Sequence, residues 1–407
     1  MSTNVNAWKS RSRWAVLAAA GALATALTVG AGAPALAAAP VSSAASASAA
    51  SASVPPLDRA AIRAALAQRP AADVSAAFVR VTGSAGRFEG TSAEGGMSVD
   101  PRGRFRIGSI SKIFTATVVL QLAAEGRIDL DGSVRQYLPD FPYEAVTVGQ
   151  LLNHTSGLPA GDGKAWGDGT TGWFAEHRLD SATPEEVVAT MKGQKLGFDP
   201  GTAQQYNGMN TFVAGLVVEK VTGHRYADEL RDRIIRPLGL RDTDLPDADD
   251  PRLRHPATHP YLTVPDADGG SHRADVTEQS PWPWAEGGMI SSASDLERFM
   301  TALFRGRLLP PAQQEKLFTV PDVPLAPHSS HCGGAACMSM GLERLASDGI
   351  VVWGKTGSRP GSTSGVFATR DLARTVVYST DPTALKGAET PYVIGLVKSA
   401  FGLASIG

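Results

Sequence analysis

The chain has 407 residues, 43% hydrophobic and 19% charged, an ordinary composition for a folded protein that is long enough to form two lobes. Its formal net charge is −2, and its lysines and arginines are scattered along the chain. No basic surface for phosphates or for a membrane is expected, which excludes nucleic acid as a partner.

The N-terminus has the three parts of an export signal. Basic residues precede an apolar stretch, residues 14–29, and small residues follow up to Ala35-Leu36-Ala37. The alternative is a membrane anchor, but the stretch is shorter than the roughly 20 residues that a membrane-spanning helix needs. We therefore predict a signal peptide over residues 1–37, cleaved near Ala37, and a secreted, extracellular protein without stable membrane insertion.

The folded domain is predicted over residues 57–407, after a disordered Ala/Ser/Pro-rich linker at residues 38–56. It opens with an amphipathic helix in "PLDRAAIRAALAQ" and two strands around a glycine-containing turn in "AAFVRVTGSAGRFEGTSAEG". Apolar residues at helical spacing then predict a helix over residues 109–125, which ends at Gly126.

The remaining chain is predicted to be helical first and then rich in strands. Residues 127–265 mix short helical patterns with Gly/Pro/Trp-rich loops, and "EGGMISSASDLERFMTALFRG" predicts a helix capped by Ser292 or Ser294. The runs "GIVVWGKTG" and "RTVVYST" predict strands. We expect an α/β fold, with a sheet lobe of residues 57–107 and 270–407 and an inserted helical lobe of about residues 108–269.

The two cysteines, Cys332 and Cys337, are predicted to form a disulfide, because export places them where such bonds persist. Two free buried thiols are one alternative. Half of a zinc site is another, but only His331 is adjacent, and zinc needs further ligands at short spacing. We expect no metal and no cofactor.

Ser109 lies three residues before Lys112 at the start of the predicted helix, so both side chains share one face. Serine needs a nearby base to act as a nucleophile. A helix N-terminus offers free N–H groups to an oxyanion and a field that favours loss of the lysine proton. Alternatively, Ser109 only caps the helix and Lys112 is solvated, since roughly one such S-x-x-K is expected by chance.

The second signal is Lys355-Thr356-Gly357, directly after a predicted strand. On a strand at a sheet edge, this tripeptide offers a cation, a hydroxyl and a glycine that allows the substrate backbone to approach. These features suit a peptide carboxylate or a lactam that docks like a strand, whereas taken alone the tripeptide could be a β-turn.

Together these motifs resemble the serine β-lactamase and penicillin-binding-protein family, in particular the secreted D-alanyl-D-alanine carboxypeptidases allied to class C β-lactamases. The resemblance also includes "LLNHTSGLP", "DPGTAQQYNGMNTFVAGLVVEKVTGHRYADE", "PLGLRDT" and "EGGMISSASDLERF", and covers nearly the whole chain after the linker. It implies a five-stranded antiparallel sheet flanked by helices, a helical lobe, and an active site in the cleft between them.

By this resemblance, Ser109 is the acylated nucleophile, Lys112 is its proton acceptor, and Tyr206 passes the proton to the leaving amine. Lys355 would orient the substrate carboxylate and hold down the pKa of the tyrosine. Many carboxypeptidase relatives carry His at that position, whereas the lactamases carry Lys. Thr356 would bind the substrate carboxylate, and the backbone N–H groups of Ser109 and Ser358 would form the oxyanion hole.

The chain departs from the family at the Y-x-N motif, which reads Tyr206-Asn207-Gly208. The amide that would contact the substrate is missing from its place, so Asn207 or Asn210 substitutes for it or the substrate binds more weakly. The other interpretation of this segment is a Pro200-Gly201 turn before a helix, with Tyr206 as a packing residue.

Other candidate residues carry less information. His154 matches a position that the family uses structurally. Trp282 and Trp284 are candidates for the wall of the acyl-donor pocket or for plain core packing. Arg344 lies beside the position where carboxypeptidase relatives place a carboxylate-binding arginine, with Glu343 disturbing the alignment.

The sequence thus predicts a secreted, monomeric serine hydrolase that forms an acyl-enzyme, a D-alanyl-D-alanine carboxypeptidase acting on peptidoglycan stem peptides and acylated by β-lactams. A class C-like β-lactamase and an esterase are the alternatives within the enzymes. A relative without activity that only binds peptide or penicillin is the alternative from another class.

Overall fold

The structure, a computed structural model, describes residues 53–69, 73–161, 167–327, 329, 331–385 and 387–404. The predicted signal peptide and most of the predicted linker lie outside these residues. Residues 53–57 lead into the first helix, which begins at Arg59 where Asp58 caps it by accepting hydrogen bonds from Ala60 N and Ala61 N, both at 2.9 Å.

A sheet of six strands forms the centre of the fold, in the order β2-β1-β10-β9-β8-β7, and every neighbouring pair is antiparallel. Two short two-stranded sheets, β3 with β6 and β4 with β5, lie apart from it. The described strands are β1 Val74–Thr82, β2 Phe88–Ala93, β3 Arg104–Arg106, β4 Tyr261–Pro265, β5 Ser271–Asp275, β6 Ile290–Ser292, β7 Glu343–Ser347, β8 Ile350–Arg359, β9 Ser362–Thr369 and β10 Thr375–Pro382.

The antiparallel α/β architecture is confirmed, but the main sheet has one strand more than the five predicted. The sequence analysis identified neither β9 nor β7, and β7 pairs with the first half of β8. The turn between them is Asp348-Gly349, with φ of 54° and 76°. Positive φ at both positions is what a tight two-residue hairpin requires, and Asp-Gly is a favoured dipeptide for it.

Helices cover both faces of the main sheet. One face packs against α1 and α12 around buried residues such as Ile62 and Phe401, and the other packs against the larger core that includes α2 and α10. The described helices are α1 Arg59–Ala67, α2 Ser111–Ala124, α3 Val148–Leu152, α4 Thr171–His177, α5 Pro184–Ala189, α6 Met209–Thr222, α7 Tyr226–Leu230, α8 Arg236–Leu238, α9 Trp284–Gly287, α10 Ala293–Phe304, α11 Pro311–Leu317 and α12 Thr390–Phe401.

Helix α2 is buried along most of its length, which fixes the position of the residues just before it. Its side chains Ile113, Phe114 and Val118 are fully buried, and the ring of Phe114 stacks on Phe299 of α10 with centroids 3.8 Å apart. A helix that is apolar on all sides belongs in the interior. Ser109 lies in the short 3₁₀ helix Gly108–Ile110 that leads into this anchored element.

One prediction of a helix cap has a clear outcome. Of the two candidate caps of α10, Ser292 is the N-cap, and its Oγ accepts a hydrogen bond from Asp295 N at 3.4 Å. Among the described residues, no helix is both long and apolar enough to span a lipid bilayer.

Candidate active site

Ser109 Oγ is the meeting point of two side chains that the sequence analysis singled out. Lys112 Nζ lies 3.0 Å from it, and the hydroxyl of Tyr206 lies 2.7 Å from it. The 3₁₀ turn and the first turn of α2 bring Lys112 back toward the serine, while Tyr206 comes from the segment before α6. Both distances are within hydrogen-bond range, as proton transfer to or from a nucleophile requires.

Glu286, which the sequence analysis missed, is the counterion of Lys112. Only 4% of the Lys112 side chain is exposed, and its Nζ donates to Glu286 Oε1 at 2.7 Å and to the Glu286 carbonyl oxygen at 2.8 Å. With Ser109 Oγ, these acceptors match the three donors of an ammonium group. Glu286 lies in the short helix α9, within a sequence motif that was quoted only for its resemblance.

The expectation that Lys112 loses its proton easily is wrong. Burial alone would lower the pKa of Lys112, but the carboxylate of Glu286 and the phenol of Tyr206 favour the ammonium form more strongly. The net effect is a pKa above the ordinary value for lysine. The field of the helix N-terminus, on which the expectation rested, is weaker than a carboxylate in direct contact.

Tyr206 is positioned by a buried glutamine two residues earlier. The Gln204 amide nitrogen donates to Asn153 O and Met338 O, both at 2.8 Å, and its oxygen accepts from Cys337 N at 2.9 Å and Met338 N at 3.0 Å. All of its hydrogen-bonding groups therefore tie the tyrosine segment to two other loops. The structure contains the Cys332–Cys337 disulfide in one of these loops.

Lys355 also reaches the tyrosine, from β8. Its Nζ lies 4.7 Å from the centre of the Tyr206 ring, and Lys112 Nζ lies 5.2 Å from the same centre. Two ammonium groups thus lie beside one phenol. Lys355 is itself buried, with 3% of its side chain exposed, and its Nζ lies 3.3 Å from Glu343 Oε2.

Arg344 is not brought to the site. Neighbouring residues of a strand point to opposite faces, and in β7 it is Glu343 that is buried and contacts Lys355. Arg344 is exposed and is not among the described residues that line the cleft around Ser109. The carboxylate-binding role that its position suggested therefore has no geometric support.

Two glycines allow β8 to pass directly against the serine turn. A Cβ on Gly108, whose φ is 47°, would lie 2.5 Å from Ser358 N, and a Cβ on Gly357 would lie 1.9 Å from Ile107 O. Side chains at these positions are excluded by the backbone itself. The close approach brings the backbone of Ser358 beside that of Ser109, and both residues line the cleft with Thr356.

The two asparagines considered as substitutes for the missing amide form hydrogen bonds within the protein and are not among the described residues that line the substrate cleft. Asn207 Nδ2 donates to Leu158 O at 2.6 Å, and its Oδ1 accepts from Met209 N at 2.9 Å. Asn210 is fully buried and contacts Ser156 Oγ at 2.5 Å and His154 Nδ1 at 3.0 Å. The backbone N–H of Asn207 also donates to His154 Nδ1, at 3.2 Å. These hydrogen bonds hold the segment that follows Tyr206 against the loop that contains His154.

The side chain of Glu286 occupies the space that an asparagine side chain at position 208 would take. A Cβ on Gly208 would lie 2.9 Å from Glu286 Cγ and 3.0 Å from Glu286 Oε1. A side chain at this position is therefore incompatible with the observed place of the glutamate. The absence of a side chain at 208 makes room for a carboxylate that contacts Lys112.

The two tryptophans have different places. Trp282 lines the cleft around Ser109, a pocket of about 390 Å³. Trp284 packs edge-on against the ring of Tyr226, at 5.0 Å between centroids, and borders a separate surface pocket. Only Trp282 is thus placed where a substrate could touch it.

Comparison with curated proteins finds penicillin-binding proteins. Penicillin-binding protein 4* of Bacillus subtilis (strain 168) is 26% identical over 313 residues, which are 73% of this chain and 64% of that protein. Penicillin-binding protein 4 of Amycolatopsis lactamdurans is 34% identical over 155 residues, 36% of this chain and 37% of that protein. The chain therefore spans less than two thirds of the length of these curated relatives.

Solved structures give the same fold over more of their length. A D-stereospecific amidohydrolase from Streptomyces sp. is 34% identical, with a TM-score of 0.72, and the match covers 85% of this chain and all of that one. A D-amino acid amidase from Ochrobactrum anthropi SV3 is 25% identical, with a TM-score of 0.68, and covers 84% and 95%. The Beta-lactamase family model matches residues 59–398, and the chain belongs to this family of serine hydrolases.

Proposed function

We propose that the chain hydrolyses amide bonds on the carbonyl side of D-configured residues, through an acyl-enzyme on Ser109. One observation carries the proposal: Ser109 Oγ lies within hydrogen-bond distance of both Lys112 Nζ and the Tyr206 hydroxyl. Such a nucleophile, flanked by two proton-transfer groups, is built for acyl transfer. This arrangement favours a hydrolase over a relative that only binds its ligand.

The proposed steps use the groups of the cleft in order. Ser109 Oγ attacks the carbonyl carbon, and the backbone N–H groups of Ser109 and Ser358 stabilise the oxyanion. Lys112 and Tyr206 move the serine proton to the leaving nitrogen. Water then hydrolyses the acyl-enzyme. Thr356, Trp282 and Lys355 line the place where the substrate would lie against β8.

The nature of the leaving group separates two candidate substrates. The first is the amide or peptide of a D-amino acid. It is supported by the state of Lys355, whose charge is already paired with Glu343, and by the exposed position of Arg344, since a carboxylate anchor needs an uncompensated cation. The 34% identity with a D-stereospecific amidohydrolase, complete over the length of that protein, supports the same candidate.

The second candidate is the D-alanyl-D-alanine carboxypeptidase that the sequence suggested. It is supported by the presence of both Lys355 and Thr356 in the lining of the cleft, beside the nucleophile. A cation and a hydroxyl at this point match a free carboxylate at the end of the substrate, provided that Lys355 can leave Glu343. Relatives named penicillin-binding proteins support it as well.

One set of substrates tests the function. We expect turnover of D-phenylalanine amide and of its p-nitroanilide, with little or no turnover of the L-enantiomers. Acetyl-D-Ala-D-Ala and its C-terminal amide separate the candidates: preference for the amide supports the amidohydrolase, and strong preference for the free acid supports the carboxypeptidase. Turnover of nitrocefin or of an acetyl ester alone, without any D-amide, would contradict both.

We also propose that the protein works outside the cytoplasm. The proposal rests on the signal-like sequence of residues 1–37 and is supported by the Cys332–Cys337 disulfide, a bond that persists in oxidising compartments. Expression of the full chain in a secreting host, followed by N-terminal sequencing of protein from the medium, tests it. Recovery only from the cytosol, with the N-terminus intact, would contradict it.

A further inference from the structure

The charge state of Lys112 poses a chemical problem for a nucleophilic serine. An ammonium group has no lone pair and cannot accept the proton of Ser109. The lysine is buried, its three donors are taken up by Ser109 Oγ and by two oxygens of Glu286, and the carboxylate keeps it protonated. A resting enzyme of this kind needs a second group to receive a proton before the lysine can act.

Glu286 is placed to be that group. Its Oε1 lies 2.7 Å from Lys112 Nζ, and the same Nζ lies 3.0 Å from Ser109 Oγ, so the three atoms form one continuous hydrogen-bonded chain. About a quarter of the Glu286 side chain is exposed, and it lines the cleft beside the nucleophile. We propose that Glu286 is the terminal proton acceptor of a relay from Ser109 through Lys112.

The proton balance of the relay closes. A proton moves from Nζ to Glu286 Oε1, and the lone pair that this leaves on Lys112 accepts the proton of Ser109 as Oγ bonds to the carbonyl carbon. The carbonyl π electrons move to oxygen. Lys112 is then again an ammonium, Glu286 is neutral, and the oxyanion carries the negative charge. When the C–N bond breaks, the leaving nitrogen takes a proton from Lys112, and Glu286 returns its proton to the lysine.

Gly208 is the structural condition for this relay. An asparagine at this position would supply a neutral amide, which cannot accept a proton. Here the side chain at 208 is absent, and a Cβ there would lie 2.9 Å from Glu286 Cγ. The departure at Gly208 and the carboxylate at Glu286 are thus two parts of one arrangement. In this arrangement a titratable carboxylate contacts Lys112.

Other charged or titratable groups also face this region, so the pH dependence must be assigned by substitution. Tyr206 contacts Ser109, and the centre of its ring lies 5.2 Å from Lys112 Nζ and 4.7 Å from Lys355 Nζ. The charged or titratable groups of this region are His154, Tyr206, Glu286, Glu343, Lys355, Arg359, Tyr378 and Glu389. Of these, Glu286 is the carboxylate in contact with Lys112.

The test uses a fluorophosphonate probe, which labels an activated serine and does not depend on the natural substrate. Rates of labelling at Ser109 are measured from pH 5 to pH 10 for the wild type, Glu286→Gln and Glu286→Asp. In the wild type the rate should rise as Glu286 ionises and be level at neutral pH. Glu286→Gln should lose about 10²- to 10⁴-fold at pH 7, the range of general base catalysis.

The shape of the pH profile separates proton acceptance from mere positioning. Glutamine keeps an oxygen for Lys112 but cannot take its proton, so labelling of Glu286→Gln should recover only as the lysine itself becomes neutral, at a higher pH than the range over which the wild-type rate rises. Glu286→Asp should be labelled more slowly than the wild type, with a rate that rises over the same pH range. Glu89→Gln, which removes a carboxylate from a surface pair with Arg80, is the control and should match the wild type.

Three results would overturn the relay. The first is a wild-type labelling rate that still rises between pH 8 and pH 10, a measurement that needs no variant to fold. The second is a Glu286→Gln labelling rate within threefold of the wild type. The third is a loss of rate in Glu286→Gln that is equal at every pH, so that the pH range over which the rate rises does not change. The inference rests on the proposed serine chemistry, but not on the substrate: if Ser109 labels as described and no D-amide is hydrolysed, only the proposed function fails.

Discussion

Gly208 and Glu286 exclude each other's side-chain space: a Cβ on Gly208 would lie 2.9 Å from Glu286 Cγ. Gly208→Asn should therefore displace the glutamate from Lys112 and reduce kcat/KM by at least 10-fold, about 1.4 kcal/mol. The double variant Gly208→Asn with Glu286→Ala removes the clash and supplies an amide to Lys112. We expect it to be no more active than Glu286→Ala alone, because an amide cannot accept the lysine proton and the displaced carboxylate is already gone.

A double-mutant cycle measures this coupling. The activities of the wild type, the two single variants and the double variant should be non-additive, with an interaction of at least about 1 kcal/mol. Thermal unfolding of all four proteins serves as the control for folding. Strictly additive losses would show that Gly208 and Glu286 act independently.

Ser109→Ala should abolish covalent labelling by a fluorophosphonate and by a labelled penicillin. The fold should survive, since among the described residues the hydroxyl bonds only to the side chains of Lys112 and Tyr206, while α2 is held by apolar packing. Mass spectrometry of the labelled peptide checks the assignment. A label on Ser111 or Ser358 would require another nucleophile.

The sequence predicted the members of the site better than their charge states. Ser109 and Lys112 lie within one turn of each other, so their contact follows from local geometry, and Tyr206 and Lys355 belong to motifs that the family resemblance supplies. Glu286 was missed because its contact with Lys112 spans 174 positions of the chain and depends on how α9 packs. The one indication of Glu286 in the sequence was Gly208 in place of the family asparagine, because the missing side chain leaves space that another residue must fill.

The fold, like the site, was predicted where local sequence determines it and missed where longer-range packing does. The first helix, the helix after Ser109 and strands β1, β2, β8 and β10 were predicted from the sequence, and the antiparallel sheet was implied by the family resemblance. Strand β7 was missed, although Asp348-Gly349 is a hairpin signal, because the short segment Glu343–Ser347 reads E-R-L-A-S and lacks the alternation of apolar and polar residues that predicts a strand. The candidate role of Arg344 came from the family resemblance; in β7 it is Glu343 that contacts Lys355, since a strand assigns alternate residues to opposite faces.

Glu343→Gln should change which substrate end the enzyme prefers. Removal of the carboxylate frees Lys355, whose Nζ lies 3.3 Å away, to bind an anion. A hydrogen bond to a charged group contributes about 1.5 to 3 kcal/mol. We therefore expect kcat/KM for acetyl-D-Ala-D-Ala, relative to its C-terminal amide, to increase by about 10-fold or more.

Arg344→Ala is the matched control for this experiment, because it alters the neighbouring residue of the same strand at an exposed position. It should leave the ratio of the two substrates unchanged. If Arg344→Ala lowers the ratio and Glu343→Gln does not raise it, the original assignment of the carboxylate anchor to Arg344 would be right after all.

Replacement of both Cys332 and Cys337 by serine should destabilise the protein modestly. The bond closes a very short loop, and the entropy model gives on the order of 2 kcal/mol for loops of this size. Because Cys337 N donates to Gln204, which positions Tyr206, activity should also fall at temperatures well below the unfolding midpoint. Thiol titration of the secreted wild type should find no free thiol, and detection of two would contradict the bond.

Asp381 gives the fold a dependence on pH that is separate from catalysis. It lies near the end of β10, 3% exposed, and its Oδ2 has no hydrogen-bond partner among the described residues. Burial raises the pKa of Asp381 to about 7, and a hydrogen bond with the side chain of Thr258 offsets only part of this effect. The native state therefore keeps a proton over a range in which the unfolded chain has lost it.

The sign follows from this difference in bound protons. Between the ordinary aspartate pKa of about 4 and the folded value near 7, the native state binds more protons than the unfolded chain, so the free energy of unfolding falls as pH rises. The full loss is on the order of 4 kcal/mol and is reached above pH 7. Asp381→Asn removes the titrating group, so it should flatten the dependence of the free energy of unfolding on pH and stabilise the protein at pH 8.

Urea unfolding of the wild type, Asp381→Asn and the exposed control Asp131→Asn at pH 5 and pH 8 measures this dependence. An equal change in the free energy of unfolding between the two pH values in all three proteins would show that Asp381 is not its source.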